Sequence, residues 1–282
     1  MGETSGVDRL STDEKLNTLE QTLADMSSAL VAYSGGVDST FLLSAALEAL
    51  GPERVLAVTA SSPIVARRDL KRAQRIANQL GARHRVVPTH QLADPQFVDN
   101  PPERCYFCKR IIVARLAEVA REENLTCLIE GSNLDDKDEH RPGTRALREA
   151  GVRSPLTDAG LTKAEVRALS RHAGLPTWSQ PAETCLATRI PHGRRVTQEA
   201  LARVEAAEDL LRAMGFEQLR VRHHGVVARI EVAPAQIPRL AQLDVATRVV
   251  SRLKELGYAV VSLDLEGYRR ESLEKVIESD RR

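Results

Sequence analysis

The chain has 282 residues, of which 42% are hydrophobic and 28% are charged, and its formal net charge is +1. This composition is typical of a globular protein with one large or two modest domains, and no apolar stretch approaches the roughly 20 residues that a membrane-spanning helix needs. The near-neutral charge argues against nucleic acid as a partner, because such partners usually require a strongly basic face.

Residues 1–19 are polar and mixed in charge, with neither a basic start before an apolar core nor a small-residue cleavage pattern. We therefore expect a cytoplasmic protein rather than an exported one. The four cysteines then point to metal binding or catalysis before disulfide bonds, because the cytosol keeps thiols reduced.

Predicted strands and helices alternate through the first two thirds of the chain. Apolar runs predict strands at 28–33, 54–60, 84–89 and 126–133, and apolar residues at helical spacing predict helices at 12–27, 39–50, 64–81, 109–123, 144–151 and 161–174. Thr162, with Glu165 three residues later, is a candidate cap for the last helix, and 152–156 are predicted to be extended. The economical interpretation is an α/β fold with a parallel sheet wrapped by helices.

The pattern changes after residue 195. A helix over 197–215, two short strands within 218–232 around His224-Gly225, a helix near 244–256 and a strand at 258–265 predict a small α+β unit. We therefore divide the chain into a first domain of residues 1–195, which carries the cysteine motifs, and a second domain of residues 196–282.

The string SGGVDS, residues 34–39, lies where the first predicted strand meets a helix. Two glycines allow successive N–H groups to point into one concavity, and the helix adds the positive end of its dipole, so the junction suits a phosphate. It is not a Walker loop, because no Gly-Lys-Ser/Thr ends it. The alternative is an ordinary turn capped by Asp38, but the whole string in the first strand–helix turn favours phosphate binding.

Cys105 and Cys108 form a CYFC motif, and two thiols at this spacing can chelate one metal or one cluster. Cys185, in a loop flanked by prolines, is the better third thiol, because Cys127 lies in a predicted strand, where buried free cysteine is common. Three thiols leave one corner of a [4Fe-4S] cluster open to an exogenous sulfide or substrate atom. The alternatives are a zinc site completed by Cys127 or a histidine, and a redox disulfide between Cys105 and Cys108.

SGGVDS resembles the pyrophosphate loop of the PP-loop ATPases, which cleave ATP between the α and β phosphates and adenylate a substrate oxygen. The resemblance implies ATP and Mg²⁺ as cofactors. It also implies that Ser61 lies near the adenine and that Gly131 closes the nucleotide site. The residues that it implies for pyrophosphate binding are Ser34, Gly35, Gly36, Asp38 and Ser39.

Segments in order along most of the chain are similar to the sulfur transferases that mature the nickel-pincer nucleotide cofactor of lactate racemase. These segments are SGGVDST, VTASSP, NPPERCYFCK, IEGSN, PAETCLATRIPHG, VEAAEDLLRAMGF and LRVRHHGVVARIEV. The resemblance implies that ATP adenylates a carboxylate of pyridinium-3,5-biscarboxylic acid mononucleotide, and that sulfur then replaces an oxygen to give a thiocarboxylate. Adenylation supplies AMP as a leaving group on a carboxylate that otherwise resists nucleophilic attack.

Two branches of these sulfur transferases differ in their sulfur source. In one branch, a single cysteine in the loop where Cys185 stands gives up its own sulfur. The CYFC motif instead resembles the branch in which three cysteines, here Cys105, Cys108 and Cys185, hold a [4Fe-4S] cluster that carries the donor sulfide.

Arginine and acidic residues near these motifs complete the predicted site. Arg220 and Arg222 project to the same side of a predicted strand, and by resemblance they hold the substrate phosphate. The resemblance also implies that Cys185, Asp38, Arg189 and Glu208 are catalytic, with Arg189 bordering the cysteine loop. The charged run containing Asp135, Asp136 and Asp138 is interpreted as a solvated loop rather than as a magnesium site.

Two other functions are compatible with the motifs. One is a tRNA thiolation enzyme of the PP-loop class, which the near-neutral charge disfavours. The other is a non-catalytic nucleotide-binding module that senses redox state through CYFC. We expect a small-molecule nucleotide and a sulfide source as partners, no membrane partner, and a homo-oligomer.

Overall fold

The computed structural model describes residues 10–136, 142–181 and 183–269. Two compact units make up the chain: one comprises residues up to Phe97 together with 102–184, and the other comprises 98–101 together with residues from Cys185 onward. The boundary near residue 195 that the sequence suggests falls inside the second unit. None of the helices in the described ranges combines the length and the apolar character that a membrane crossing requires.

The first unit is a parallel four-stranded sheet with helices. Its strands are β1 (Ala29–Ala32), β2 (Val55–Ser61), β3 (Arg83–Pro88) and β4 (Cys127–Glu130), in the order β3-β2-β1-β4 with all pairs parallel. Its helices are α1 (Thr12–Ala24), α2 (Val37–Leu50), α3 (Arg67–Gln79), α4 (Pro95–Val98, ending in the second unit), α5 (Arg104–Glu122), α6 (Pro142–Glu149), α7 (Pro155–Asp158) and α8 (Lys163–His172). The predicted α/β class is confirmed.

Both faces of this sheet are buried, which explains why its strands are continuous apolar runs. On one face, Val31 of β1 belongs to a core cluster with Leu42 of α2. On the other face, Leu30 belongs to a second cluster with Leu116 and Val119 of α5. Successive residues of β1 therefore point to opposite cores, so the short strand fixes helices on both sides of the phosphate-loop candidate.

Two predicted elements differ from the observed ones. Helix α5 begins at Arg104 rather than near residue 109, so CYFC forms the first turn of the helix. Residues 152–156, predicted to be extended, form one parallel bridge, from Arg153 to Ile129. The chain then enters α7 at Pro155, because proline is preorganised for the first position of a helix. The capping box predicted at Thr162 is confirmed.

The second unit is a small α+β structure around a three-stranded sheet in the order β5-β6-β7. Its strands are β5 (Leu219–His224), β6 (Val227–Val232) and β7 (Val260–Leu263), and its helices are α9 (Gln198–Ala213), α10 (Ile237–Leu240) and α11 (Leu243–Glu255). Strands β5 and β6 form an antiparallel hairpin whose turn contains Gly225 at φ +72°, whereas β6 and β7 are parallel. The predicted α+β character is confirmed.

Residues 98–101 belong to this second unit because Asn100 is bonded there. The Asn100 side-chain amide donates to the carbonyl oxygens of Ile190, Pro191 and Arg194 at 3.3, 2.7 and 2.9 Å. Its backbone φ is +57°, a left-handed conformation that asparagine tolerates better than most residues do. This buried amide therefore holds the segment that follows Arg189.

Candidate functional site

Residues 34–39 join the end of β1 to the start of α2, where the chain order of the sheet changes direction between β1 and β4. In open parallel sheets, ligands bind outside the carboxyl ends of the strands at such a point. Gly36 is the N-cap of α2 and makes no side-chain cap hydrogen bond, so the first N–H groups of α2 can meet an anion. The loop is therefore placed as a phosphate site requires.

Two glycines allow the backbone to close around the start of α2. Gly35 has φ +72°, and a Cβ atom there would lie 2.8 Å from the Cα atom of Ala73 on α3. A Cβ atom on Gly131, immediately after β4, would lie 2.9 Å from the backbone nitrogen of Ser39. Neither position has room for a side chain, so both glycines that the sequence predicts here have a steric reason in the fold.

The hydroxyl groups of Ser34 and Ser39 are brought together across the loop. Their Oγ atoms are 3.1 Å apart, and the Ser39 hydroxyl also donates to the carbonyl oxygen of Gly36 at 3.3 Å. Ser61 is the last residue of β2, and its carbonyl oxygen accepts from the backbone N–H of Thr89 at 2.8 Å. The carboxyl ends of the parallel strands share one sheet edge, so Ser61 lies on the edge that carries the loop.

Asp38 is held by two residues from other elements. The Asn133 amide donates to Oδ1 of Asp38 at 3.4 Å, and the Lys163 ammonium group forms an ion pair with Oδ2. Lys163 is the first residue of α8, directly after the cap Thr162. Sequence patterns did not single out Lys163, because a lysine at a helix start has no distinctive spacing.

The two described aspartates of the charged loop are bonded to backbone N–H groups. Asp135 accepts from the N–H of Lys163 at 3.0 Å, and Asp136 accepts from the N–H of Asn133 at 3.1 Å. Asp138 lies outside the described residues. Asp135 and Asp136 therefore hold Asn133 and Lys163, the two partners of Asp38, in position.

A pocket of about 360 Å³ lies next to this group in the first unit. Its walls include Ser132, Asn133, Asp136, Arg153 and Thr157. Asn133 and Asp136 thus belong both to the pocket and to the group around Asp38.

Across the described ranges, no group of three or more histidine, cysteine, aspartate or glutamate residues is arranged to hold a metal ion. Asp38 supplies a single carboxylate at the loop. Magnesium in nucleotide sites is commonly held by one or two carboxylates together with phosphate oxygens, so a lone Asp38 suits magnesium carried in with a nucleotide.

Cys105 and Cys108 lie in the first turn of α5, three residues apart, and neither forms a disulfide bond. Residues three apart are neighbours on a helix surface, so the two thiols share one face. Cys105 is exposed and Cys108 is partly buried. Cys127 packs against the core cluster of β1, as expected for a packing residue.

Cys185 belongs to the second unit, where its backbone is firmly fixed. It precedes a short 3₁₀ turn, Leu186–Arg189. The Cys185 carbonyl oxygen accepts from the backbone N–H of Thr188 at 3.0 Å, from the Thr188 hydroxyl at 2.8 Å and from Nη1 of Arg189 at 3.2 Å. The thiol is partly buried.

Arg189 and Glu208 form a buried ion pair behind this turn. Nε of Arg189 lies 2.8 Å from Oε1 of Glu208 and Nη2 lies 3.3 Å from Oε2; the two side chains are 2% and 0% exposed. Oε1 of Glu208 also accepts from the backbone N–H of Val221 at 3.3 Å. Glu208 thus ties the Cys185 turn to both α9 and β5.

Arg222 is neutralised by a residue that the sequence patterns missed. Its Nε and Nη2 atoms lie 2.9 and 3.1 Å from the carboxylate oxygens of Glu231 on β6, and its Nη1 donates to the carbonyl oxygen of Thr188 at 3.0 Å. Glu231 pairs with Arg220 in the hairpin register. The sequence signal that could have identified Glu231 is the alternating Arg-Val-Arg of one strand, which faces a glutamate on the other strand of the hairpin.

Arg220 differs from Arg189 and Arg222, the other buried arginines in the described part of the second unit, because it forms no ion pair with a carboxylate of the described residues. It is 6% exposed, its Nη1 donates to the carbonyl oxygen of Arg269 at 3.2 Å, and its guanidinium carbon lies 4.8 Å from the centre of the Tyr268 ring. Burial lowers the pKa of Arg220; the nearby charges of Arg222 and Arg189 act in the same direction, and Tyr268 and Glu231 oppose them. The site thus has an excess of buried positive charge, which an anion would stabilise.

Comparison with known proteins covers both units. A pyridinium-3,5-bisthiocarboxylic acid mononucleotide synthase from Lactiplantibacillus plantarum is 36% identical over 90% of this chain and 92% of its own length. The chain belongs to this synthase family. An uncharacterized protein from Synechocystis sp. is 40% identical over 94% of this chain and 98% of its own length.

A second group of relatives resembles only part of the chain. The NAD synthase family pattern matches residues 13–120, and the NH(3)-dependent NAD(+) synthetase of Chlorobaculum tepidum is 28% identical over 53% of this chain and 54% of its own length. The matched range runs from α1 through residues 34–39 into α5. The match to the synthase, by contrast, extends over both units, as the sequence resemblance predicts.

Proposed function

We propose that the chain is an ATP-dependent sulfur transferase that acts on pyridinium-3,5-biscarboxylic acid mononucleotide. In each cycle a substrate carboxylate oxygen attacks the α phosphate of ATP, which releases pyrophosphate and leaves an acyl adenylate. A sulfide sulfur then attacks the acyl carbon, and the C–O bond to AMP breaks to leave a thiocarboxylate. The observation that carries this proposal is the 36% identity, over both units, to the pyridinium-3,5-bisthiocarboxylic acid mononucleotide synthase of Lactiplantibacillus plantarum.

The first unit supports the adenylation step. In this proposal pyrophosphate binds to the N–H groups at the start of α2 and to the hydroxyls of Ser34 and Ser39, which lie 3.1 Å apart. Asp38 would hold Mg²⁺, which supplies positive charge to the phosphates when bound. Lys163 can add a second positive charge next to Asp38, and Ser61 lies on the sheet edge where the adenine would bind.

The second unit supports substrate binding and presentation of Cys185. We assign the substrate phosphate to Arg220, with Arg222 beside it, because Arg220 is buried and has no carboxylate partner in the described chain. Arg189 holds the Cys185 carbonyl, and Glu208 orients Arg189. We assign Arg189 and Glu208 to positioning the sulfur site.

We further propose that Cys105, Cys108 and Cys185 hold a [4Fe-4S] cluster, which supplies the donor sulfide when bound. Its support is the chemistry of the donor set: three cysteines that form no disulfide bond, two of them on one helix face. Zinc at the same cysteines, or a disulfide between Cys105 and Cys108, are the alternatives.

Anaerobic reconstitution with iron and sulfide tests the cluster. We expect a brown protein whose visible absorption is lost in Cys105→Ser, Cys108→Ser and Cys185→Ser. Cys127→Ser is the matched control and should keep the absorption, because this thiol packs in the core. A colourless protein that binds one zinc ion would contradict the proposal.

Product analysis tests the reaction and separates it from the other two functions. With ATP, the dicarboxylate mononucleotide and sulfide, we expect pyrophosphate release and a thiocarboxylate product, and Cys185→Ala should keep pyrophosphate release while losing sulfur transfer. ATP turnover that depends on added tRNA would favour a tRNA thiolation enzyme. ATP binding without pyrophosphate release would favour a redox-sensing module.

We also propose that the protein is cytoplasmic and forms a homo-oligomer. Size-exclusion chromatography with light scattering can check the oligomeric state.

A further inference from the structure

Residues 264–269, here called the C-terminal strap, continue past β7 along the remainder of β6. The backbone N–H of Asp264 donates to the carbonyl oxygen of Ile230 at 2.9 Å, and that of Tyr268 donates to Val232 at 2.8 Å. Gly267 has φ +75°, and a Cβ atom there would lie 2.7 Å from the carbonyl oxygen of Val232. Main-chain contacts thus seat the strap on β6, and only glycine fits between its two hydrogen bonds.

The strap brings Tyr268 and Arg269 to Arg220 on β5. The guanidinium carbon of Arg220 lies 4.8 Å from the centre of the Tyr268 ring, within the range of a cation–π contact. The carbonyl oxygen of Arg269 accepts from Nη1 of Arg220 at 3.2 Å. An aromatic face and a neutral oxygen therefore take the place that a carboxylate has at Arg222, whose partner is Glu231.

This difference has a chemical consequence. A carboxylate partner neutralises an arginine, whereas an aromatic face fixes the guanidinium plane and leaves its full charge for a ligand. The carbonyl of Arg269 is a weaker partner than a phosphate oxygen, because the carbonyl oxygen is neutral, whereas a phosphate oxygen is negatively charged and can form a bidentate ion pair with the guanidinium. A phosphate can thus displace the Arg269 carbonyl while the β6 contacts still hold Tyr268.

We propose that Tyr268 is a positioning residue for substrate binding, which holds the Arg220 guanidinium beneath its ring so that it accepts the phosphate of a pyridinium mononucleotide. This inference rests on the proposed function, because that function supplies the substrate class. The carbonyl oxygen of Arg269 occupies the phosphate position on Arg220 until substrate binds. Leu265 lies on the strap with its side chain exposed, away from the buried Arg220, and serves as a control position.

Equilibrium binding to the full chain, without ATP or sulfide, tests the inference. The probes are nicotinic acid mononucleotide and inorganic phosphate, measured by calorimetry. We expect Tyr268→Leu, which keeps apolar cover but lacks a π face, to weaken nicotinic acid mononucleotide binding by about tenfold. Tyr268→Phe should bind like the wild type, and so should the control Leu265→Ala, which changes a strap residue that is 81% exposed.

Catalysis supplies a second readout that a purely structural role would not move. Tyr268→Leu should raise KM for the dicarboxylate mononucleotide about as much as it weakens binding, and should leave kcat unchanged. Unchanged affinity in Tyr268→Leu overturns the inference, and so does a loss in Tyr268→Phe as large as that in Tyr268→Leu. Wild-type protein that binds neither probe overturns it too.

Failure of this inference is distinguishable from failure of the proposed function. If the wild type makes the thiocarboxylate and Tyr268→Leu has an unchanged KM, only the role of Tyr268 is wrong. If nicotinic acid mononucleotide binds the wild type and the Tyr268 variants as expected but no thiocarboxylate forms, the anion site stands and the proposed reaction is wrong.

Discussion

Replacing Glu208 by glutamine should destabilise the second unit strongly. Arg189 is 2% exposed and its carboxylate partner is 0% exposed, so the variant leaves a buried guanidinium without its counter-charge. A glutamine oxygen can still accept from Nε of Arg189, but the amide nitrogen then faces Nη2 of Arg189, which is also a donor. Removing one partner of a buried ion pair costs about 3–5 kcal/mol. Because one hydrogen bond is retained, we expect Glu208→Gln to lower the free energy of unfolding of the second unit by about 3 kcal/mol.

The assay must report on the second unit alone, because two compact units need not unfold together. Urea-dependent hydrogen exchange of residues 219–232, followed by mass spectrometry, measures the free energy of opening of β5 and β6. The matched control is Asp99→Asn in the same unit, where Asp99 and Arg195 are 3.9 Å apart and 68% and 72% exposed. This exposed pair should contribute less than about 1 kcal/mol. Equal changes in the two variants would refute the assigned role of Glu208.

Two other substitutions test the first unit. Gly131→Ala places a Cβ atom 2.9 Å from the Ser39 nitrogen, an overpacking that costs about 1–3 kcal/mol. The affinity for ATP should therefore fall about tenfold. A calorimetric titration that gives wild-type affinity would contradict this prediction. Although partial burial acts in the opposite direction, hydrogen bonds from Lys15 and Thr162 lower the pKa of Glu165 from 4.5 to about 2. Glu165 therefore stabilises the fold above pH 4.5, and this contribution is lost as the pH falls towards 2. The Tm of Glu165→Gln should fall less than that of the wild type over this interval, and parallel Tm curves would exclude the effect.

The strand–helix alternation and the position of SGGVDS at a strand–helix junction were predictable, because both depend on local patterns. Apolar runs indicate strands that are buried on both faces, and two adjacent glycines indicate a tight turn between a strand and a helix. Gly131 followed from resemblance alone. The structure adds a physical reason for a glycine at this position, because a side chain there would have no room next to Ser39.

Residues that act through distant partners could not be predicted in the same way. Lys163 meets Asp38 from 125 residues away, and Glu231 neutralises Arg222 across a hairpin whose register had to be known first. The role of Glu208 was also not derivable, because its partner Arg189 lies in an irregular turn. Local periodicity carries no information on such pairs.

The predicted start of α5, near residue 109, was wrong for a related reason. The prolines and polar residues before CYFC favour a loop, yet the helix begins at Arg104 and includes both cysteines. Tyr106, between them, contacts α6 through a cation–π pair with Arg145 at 3.8 Å and a hydrogen bond to Glu149 at 2.7 Å. Tertiary packing of this turn overrides its weak local helix signal.

The most direct test of the central claim is mass spectrometry of the small-molecule product after anaerobic incubation with ATP, the dicarboxylate mononucleotide and isotopically labelled sulfide. We predict a thiocarboxylate that carries the label, one pyrophosphate released for each sulfur transferred, and an unchanged protein mass. Release of pyrophosphate with only unlabelled dicarboxylate recovered would contradict sulfur transfer. Unlabelled sulfur in the product, with a matching loss of hydrogen sulfide from Cys185, would contradict the recycled donor.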